Sequence, residues 1–425
     1  MIFNILFSCI IWSVVILSII RFLPVIGINI FNRIPPGTLR SGEKPRREVM
    51  AKIFISALIF RFLVYIIGAA AVILMQKANG FTFDTFLSTW NRWDAPRYIS
   101  LAKGGYGGMI EDGEPLNCVF FPLYPWLVRA FSVVIKNTQV AGMIVSTLAF
   151  SAAMPFMYAF ICRDYNEKIA LLAVILISSA PFTFFCGGVM TESLFLLTAV
   201  LTWYFVKERK WIAAAAAGFF CALTRSAGVL IAIPYLFELI ENNAEHFKNQ
   251  KYKAFFKGCI KQGKWIVLIP IGVVIYLAIN YRYTGNCFKF MEYQQKFWLH
   301  TSCYFGKGIQ IMWNDSLSSG RDIVSKLELF WPQTFSYTIA AIIMLISSHR
   351  HKSVYSLYFA AYFIFNTAIT WSMSGARYAS MALPLYIMLA ERLENKKYAA
   401  SIVVIISAMF QGIYLMMYLS GRQIM

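Results

Sequence analysis

The sequence predicts an all-α, polytopic integral membrane protein of about twelve transmembrane helices, and three observations carry that expectation. Hydrophobic residues make up 59% of the 425-residue chain and charged residues 14%, with a mean hydropathy of +0.60. Water-facing chemistry is therefore confined to a few loops. The apolar runs are long enough to cross a bilayer and show no sustained two-residue alternation. Because a spanning segment must satisfy its own backbone hydrogen bonds, that pattern selects helices over a barrel. Finally, the net charge of +19 sits in short Lys and Arg clusters between apolar runs. That is the positive-inside pattern and excludes a nucleic-acid footprint. One domain over residues 1–425 fits better than two or three soluble ones.

The elements follow in order from these anchors. The N-terminal apolar run, residues 1–20, lacks a basic leader and a small-residue cleavage site and is followed by Arg21, so a retained helix at 5–23 is expected. It forms, with the basic segment up to residue 50, an extra N-terminal unit. Basic clusters at Arg40 to Arg47, Lys207 to Lys210, Lys248 to Lys264, His349 to Lys352 and Arg392 to Lys397 are placed in the cytoplasm. Helices at roughly 53–75, 190–206, 211–224, 228–241, 265–281, 331–347, 353–371, 379–392 and 398–418 then alternate without conflict. Between residues 118 and 187, both expected outside, three apolar stretches would give an odd number of crossings. The stretch 119–135 carries Pro122, Pro125 and Arg129 and is expected to be re-entrant or interfacial, while 139–161 and 169–185 cross. Two large outer loops remain, 76–118 and 282–330.

Eight cysteines are scattered without a C-x-x-C pair, so no disulfide framework or metal site is implied; Cys287 and Cys303 share an outer loop, and their pairing stays open. Of four histidines only His349 and His351 are close, in a basic turn expected to be solvated.

The segment NRWDAPRYISLAKGGY, Asn91 to Tyr106, is the best candidate for an active-site loop. Asp94 precedes Ala95 and Pro96, a good helix start, so it reads either as an N-cap or as a catalytic carboxylate. Arg92, Trp93, Arg97, Tyr98 and Tyr106 surround it, as expected for an acid beside a sugar and a phosphate. Glu111, Asp112 and Glu114 form an acidic turn with Gly113, and an acceptor-binding role there stays open. FFPLYP, Phe120 to Pro125, suits a rigid interfacial ledge. Glu192 opens a helix at the outer face and Arg225 lies in the next outer turn, so the two can meet as a structural ion pair, or Arg225 can hold a lipid-linked phosphate. Arg377, followed by Tyr378, places a cation where charge statistics disfavour one, which fits either snorkelling or a phosphate anchor. Asn286, Gln294 and neighbouring aromatics can serve sugar hydroxyls and ring faces, although an interfacial aromatic belt explains the aromatics equally well.

Taken in order, RWD with Tyr98, Gly105-Tyr106, FFPLYP, Thr191-Glu192-Ser193, LTRSAG at Leu223 to Gly228, YTGN at Tyr283 to Asn286 and ARY at Ala376 to Tyr378 resemble the PIG-V mannosyltransferase family, in its bacterial type, over about residues 85 to 392. The resemblance implies a GT-C glycosyltransferase core with extracytoplasmic active-site loops and an essential acid in the first outer loop, here Asp94. It also implies a polyprenyl-phosphate sugar donor, a lipid or glycan acceptor, and inverting transfer of a hexose, mannose in the family. Asp94 would be the general base, with Arg225 or Arg377 on the leaving phosphate. No cofactor or metal is required by this scheme, and the partners are these substrates and membrane lipids. Two departures stand out: Asn286 occupies a position where bacterial relatives often carry an acid, and the helix at 5–23 precedes the usual first one. A transporter or flippase of a lipid-linked sugar is the alternative. It would show pseudo-symmetric halves and midplane polar groups, whereas the charges here gather at helix ends. A structural scaffold, a third class, would leave Asp94 and Arg377 dispensable.

Overall fold

Helices form where the apolar runs are, and their ends fall at residues that stop or cap them. The computed structural model describes residues 2–28, 42–75, 81–111, 113–371 and 374–424. Its helices are α1 (Ile2–Phe22), α2 (Arg47–Met75), α3 (Phe83–Trp90), α4 (Ala95–Gly104), α5 (Leu123–Ile135), α6 (Thr138–Asp164), α7 (Glu167–Ser179), α8 (Glu192–Lys207), α9 (Trp211–Thr224) and α10 (Ala232–Lys248). They continue with α11 (Tyr252–Gly263), α12 (Leu268–Thr284), α13 (Lys289–Trp298), α14 (Phe305–Leu317), α15 (Ile323–Ser325), α16 (Trp331–Ser347), α17 (Ser353–Thr367), α18 (Gly375–Ala379), α19 (Leu383–Leu393) and α20 (Lys397–Leu419). The starts of α6 and α7 show the local logic. Asn137 and Asn166 accept hydrogen bonds from the backbone N–H groups of Val140 and Ile169, satisfying donors a helix end leaves free.

By length and composition, six helical stretches among the described residues can cross a membrane: Ile2–Ile26, Arg47–Met75, Thr138–Asp164, Tyr252–Thr284, Ile323–Arg350 and Lys397–Leu419. The remaining apolar helices α7, α8, α9, α10, α17 and α19 run 11 to 17 residues, so length and composition alone do not establish twelve crossings. α6 is the central helix, packing against α2, α5, α7 and α8. α2 and α20 instead present rows of exposed apolar residues, such as Ile55, Ile59 and Ile66 on α2, which suits a lipid-facing position. α9 and α12 approach closely because Gly272 lies against the backbone of Phe219 and Leu223, where a Cβ would come within 2.7 Å of the Phe219 carbonyl.

The stretch 119–135 starts on the last residue of a short 3-10 turn, Leu116–Val119, and its helical part is the 13-residue α5, which begins after Pro122. At about 20 Å it is shorter than a hydrocarbon core of roughly 30 Å. The expected outer loops are largely helical: α3 and α4 fill the first, α13 to α15 the second. α14 is built into the bundle beside α1, with Phe305, Ile309 and Met312 in one core with Phe7 and Ile11, and Phe3 stacked on Trp313 at 4.4 Å. Interleaved polar residues mask its apolar face in the sequence. Residues 76–80 of the first loop, Asp112 and Arg40 lie outside the described residues.

The basic clusters, distant in sequence, meet at one end of the bundle. Arg46 pairs with Glu167 at 2.6 Å, Arg163 with Glu208, and Lys207 with Asp164 and Glu238. Lys352 reaches Asp164 at 3.0 Å and Glu241 at 3.5 Å, Arg350 reaches Glu391 at 3.6 Å, and the Arg392 Nε donates to Ser347 Oγ at 3.0 Å. The Tyr235 hydroxyl donates to the Gln262 carbonyl, tying in the Lys248 to Lys264 segment. One expectation is corrected here. His351 is buried rather than solvated, its Nδ1 2.6 Å from the Tyr165 hydroxyl. Burial, aided by Arg21 and Arg392, lowers its pKa to about 3. The packing of α1, α16 and α17 around this turn, invisible in the sequence, shuts water out.

Candidate active site

The opposite end of α8 carries the candidate site. Glu192 begins this helix and Lys207 ends it, so the two charged regions lie roughly 22 Å apart along its axis. α3 ends on Trp90, which is fully buried against Tyr65, Phe86 and Tyr418. The chain then turns through Trp93, whose φ of +56° is left-handed, a conformation costing an L-residue roughly 1–2 kcal/mol. This turn sets Asp94 at the head of α4. Asp94 does not act as a cap: its backbone is already helical and its carboxylate makes no cap hydrogen bond. Instead Oδ2 accepts a hydrogen bond of 2.7 Å from the Arg377 guanidinium.

Arg377 is almost fully buried and shared between two acids. Its Nε lies 3.0 Å from Glu192 Oε1 as an ion pair, off hydrogen-bond alignment. Burial disfavours the Arg377 charge, but Glu192 and Asp94 outweigh it and hold the guanidinium firmly protonated. Arg225 donates to the same Glu192 oxygen at 2.6 Å and lies over the Tyr378 ring at 4.2 Å. The result is a chain of alternating charge, Asp94, Arg377, Glu192, Arg225. Glu192 is 1% exposed and Asp94 24%, so the inner acid positions the cations while the outer one is reachable. The turn carrying Arg225 depends on Gly228, where a Cβ would collide with the backbone of Cys221.

What fixes the start of α8 is an interruption between α7 and α8, where Thr183–Gly187 forms a 3-10 turn with free carbonyls. Arg61, buried on α2, donates to the carbonyls of Thr183 and Phe184 at 3.1 and 3.0 Å, and the Tyr65 hydroxyl donates to that of Gly187 at 2.7 Å. Sequence reading passed over both residues. The signal was a lone Arg in a spanning helix, which at that depth needs a partner.

Asp94, Arg225 and Arg377 line one cleft of about 580 Å³, together with Trp93, Arg97, Tyr98, Gln294 and Tyr378. Burial raises the Tyr98 pKa, so its hydroxyl stays protonated; the ring packs edge-on against Phe120 and Tyr124. Arg97 pairs with Glu111 at 2.6 Å, bringing one acid of the turn to the cleft, whereas Glu114 accepts from Tyr293 and braces α13. The FFPLYP ledge is fixed from behind: Tyr106 donates to the Phe120 carbonyl, and Tyr276 and Asn280 donate to that of Cys118.

Three expected residues lie elsewhere. Glu192 sits beneath the cleft rather than on it. Arg92 points away, donating to the carbonyls of Thr89 and Leu419 and tying α3 to the end of α20. Asn286 stands on the exposed rim, bonded to Glu292, because its turn ends α12 away from the cleft wall. Cys287 and Cys303 are both free. His300, by contrast, lines the cleft and was missed. Its Nε2 is buried without a hydrogen-bond partner, and burial, opposed by the charge of Asp94, lowers its pKa. A single His in a long loop gave no signal; the left-handed turn at Leu299, φ +58°, aims it inward.

A family model described as dolichyl-phosphate-mannose-protein mannosyltransferase matches residues 115–260. No match was found among curated proteins. The matched stretch, about a third of the chain, includes Glu192 and Arg225 but reaches neither Asp94 nor Arg377. It supports a GT-C, mannosyltransferase-like glycosyltransferase as the class, and with the apolar helices a multi-pass membrane enzyme using a lipid-linked sugar.

Proposed function

We propose that this chain transfers a hexose, mannose by its PIG-V-like motifs, from a polyprenyl-phosphate donor to a lipid or glycan acceptor, with inversion, on the extracytoplasmic side. The observation that carries the reading is that Asp94, at the N-cap position, makes no capping hydrogen bond and rests on Arg377, which Glu192 couples to Arg225 at the wall of one cleft. The acceptor hydroxyl attacks the anomeric carbon, the bond from that carbon to the phosphate oxygen breaks, and the hydroxyl proton passes to Asp94. The donor is a phosphodiester and the departing polyprenyl phosphate a monoester, so negative charge grows on the leaving group. Arg225 and Arg377 are fixed guanidiniums suited to that charge. An arriving phosphate competes with Asp94 for Arg377 and thereby frees the carboxylate to accept a proton. Trp93, Tyr98, Gln294 and Tyr378 offer ring faces and polar atoms for sugar and acceptor. The charge rule supports that side, since the basic clusters gather at the far end of the bundle.

The test is incubation of purified protein with labelled polyprenyl-phosphate mannose or glucose and a native lipid extract. A labelled lipid or glycan product, dependent on Asp94, supports the reading. Absence of product from either donor, with the protein folded, overturns it.

A further inference from the structure

α11 has no place in the cleft, yet its surface is unusually ordered. Tyr252, Phe256 and Ile260, four residues apart, form one stripe and are 49%, 58% and 69% exposed. Lys253, Lys257 and Lys261 form a second stripe one position on, all exposed. Between residues 251 and 264 the sequence holds five lysines and no acid. Among the described residues no ion pair holds those three lysines. α11 meets α10 through Phe255, 5.2 Å from Phe247, through Gly258 against Asn243 and through Gly263 against Leu239, and the half-exposed Tyr252 also touches Phe247 at 5.1 Å.

Length places this helix at the membrane surface. The 3-10 turn Lys264–Val267 and the 17 residues of α12 together rise roughly 34 Å, which already fills a hydrocarbon core of about 30 Å. α11 therefore ends where the crossing begins, at Lys264 and Trp265, whose ammonium and ring lie 4.9 Å apart. The apolar stripe continues in exposed Val267 of the turn and exposed Ile271 and Val274 of α12, a surface suited to face lipid. An apolar stripe that is continuous with a lipid-facing one and flanked by unpaired lysines matches the two layers of an anionic leaflet, acyl boundary and phosphate headgroup.

We propose that α11 is an interfacial helix that binds anionic phospholipid, with its aromatic and aliphatic stripe in the acyl boundary and Lys253, Lys257 and Lys261 on headgroup phosphates. This surface is independent of the cleft, and its test does not require turnover. Full-length protein carrying a photoreactive benzoylphenylalanine at Phe256 is reconstituted in vesicles of phosphatidylcholine and phosphatidylglycerol at roughly two to one and irradiated. Cross-linking to lipid is expected, with phosphatidylglycerol enriched over its bulk share by at least about threefold at low salt. The combined variant Lys253→Gln, Lys257→Gln, Lys261→Gln should keep the cross-link but lose the enrichment, and the corresponding Arg variant should retain it. A parent that cross-links no lipid, or takes both lipids in bulk proportion, overturns the proposal; so does enrichment that survives the Gln substitutions.

Discussion

The cleft and the basic end are built from the same material and arranged to opposite effect. At the basic end Lys207 and Lys352 share Asp164, with Glu238 and Glu241 completing the set, and Tyr355 donates to Asp164 at 2.7 Å. Every charge faces another protein group, and the cluster clamps α6, α8, α10 and α17 together. At the cleft Asp94, Arg377, Glu192 and Arg225 also alternate in sign, but three of the four line an open volume. A buried ion network becomes a site when one side of it is left to a ligand. Where proteins close both sides, the network is a clamp whose disruption strands a charge in low dielectric.

The largest expected difference between the two regions is in turnover. Asp94→Asn keeps the size of the side chain, and because the native carboxylate makes no cap bond the helix start should not suffer. Turnover should fall by about two to four orders of magnitude with donor binding little changed, the range for loss of a positioned base. Steady-state kinetics at saturating donor and acceptor check this; a variant within about threefold of the parent would shift the search for a base to Glu111, which also lines the cleft.

Next comes stability, at the other end. Lys207→Gln leaves Glu238 without its ion-pair partner and Asp164 with Lys352 as its one cation, a change expected to cost about 3–5 kcal/mol. A thermal unfolding scan in detergent should show a lowered midpoint, while the donor KM of the folded fraction stays at the parental value. A lowered affinity at unchanged stability would erase the distinction drawn between clamp and site.

A smaller effect is expected for Arg377→Lys, which keeps the charge and loses the planar fork that serves Asp94 and Glu192 together. Apparent donor affinity should weaken by about ten- to a hundredfold, roughly 1.5–3 kcal/mol for a charge-assisted contact. Donor titration reads this directly, and an unchanged KM would return Arg377 to a purely structural part.

The mildest expectation concerns pH. Burial holds the folded-state pKa of His351 near 3, below its ordinary 6.5. The unfolded chain therefore binds the proton more readily, and stability is full above about 6.5 and declines as pH falls toward 3. His351→Gln should flatten that slope in unfolding scans between those limits without altering the pH profile of turnover.

Much of the helical layout was legible beforehand, because a bilayer imposes length and apolarity on every crossing segment. The expected runs 53–75, 139–161, 211–224 and 398–418 lie within or coincide with α2, α6, α9 and α20. The convergence of the basic clusters also follows from their charge alone. Motif order brought Asp94, Arg225 and Arg377 forward together, since polar residues in an apolar chain need a reason. Helix α14 was hidden, because its core-facing residues share a stretch with Lys, Asn and Asp.

The sequence by itself determined an all-helical membrane chain with its chemistry confined to a few polar turns, because hydrophobic length and charge distribution are local properties. Only the tertiary structure decided that Asp94 rests on Arg377 rather than capping α4, that one buried Glu192 holds two cations, that His300 faces the cleft, and that Arg92 and Asn286 do not. Those outcomes depend on contacts across separations such as the 283 residues between Asp94 and Arg377. Residue type and spacing carry no information about such contacts until packing fixes which charges are desolvated together.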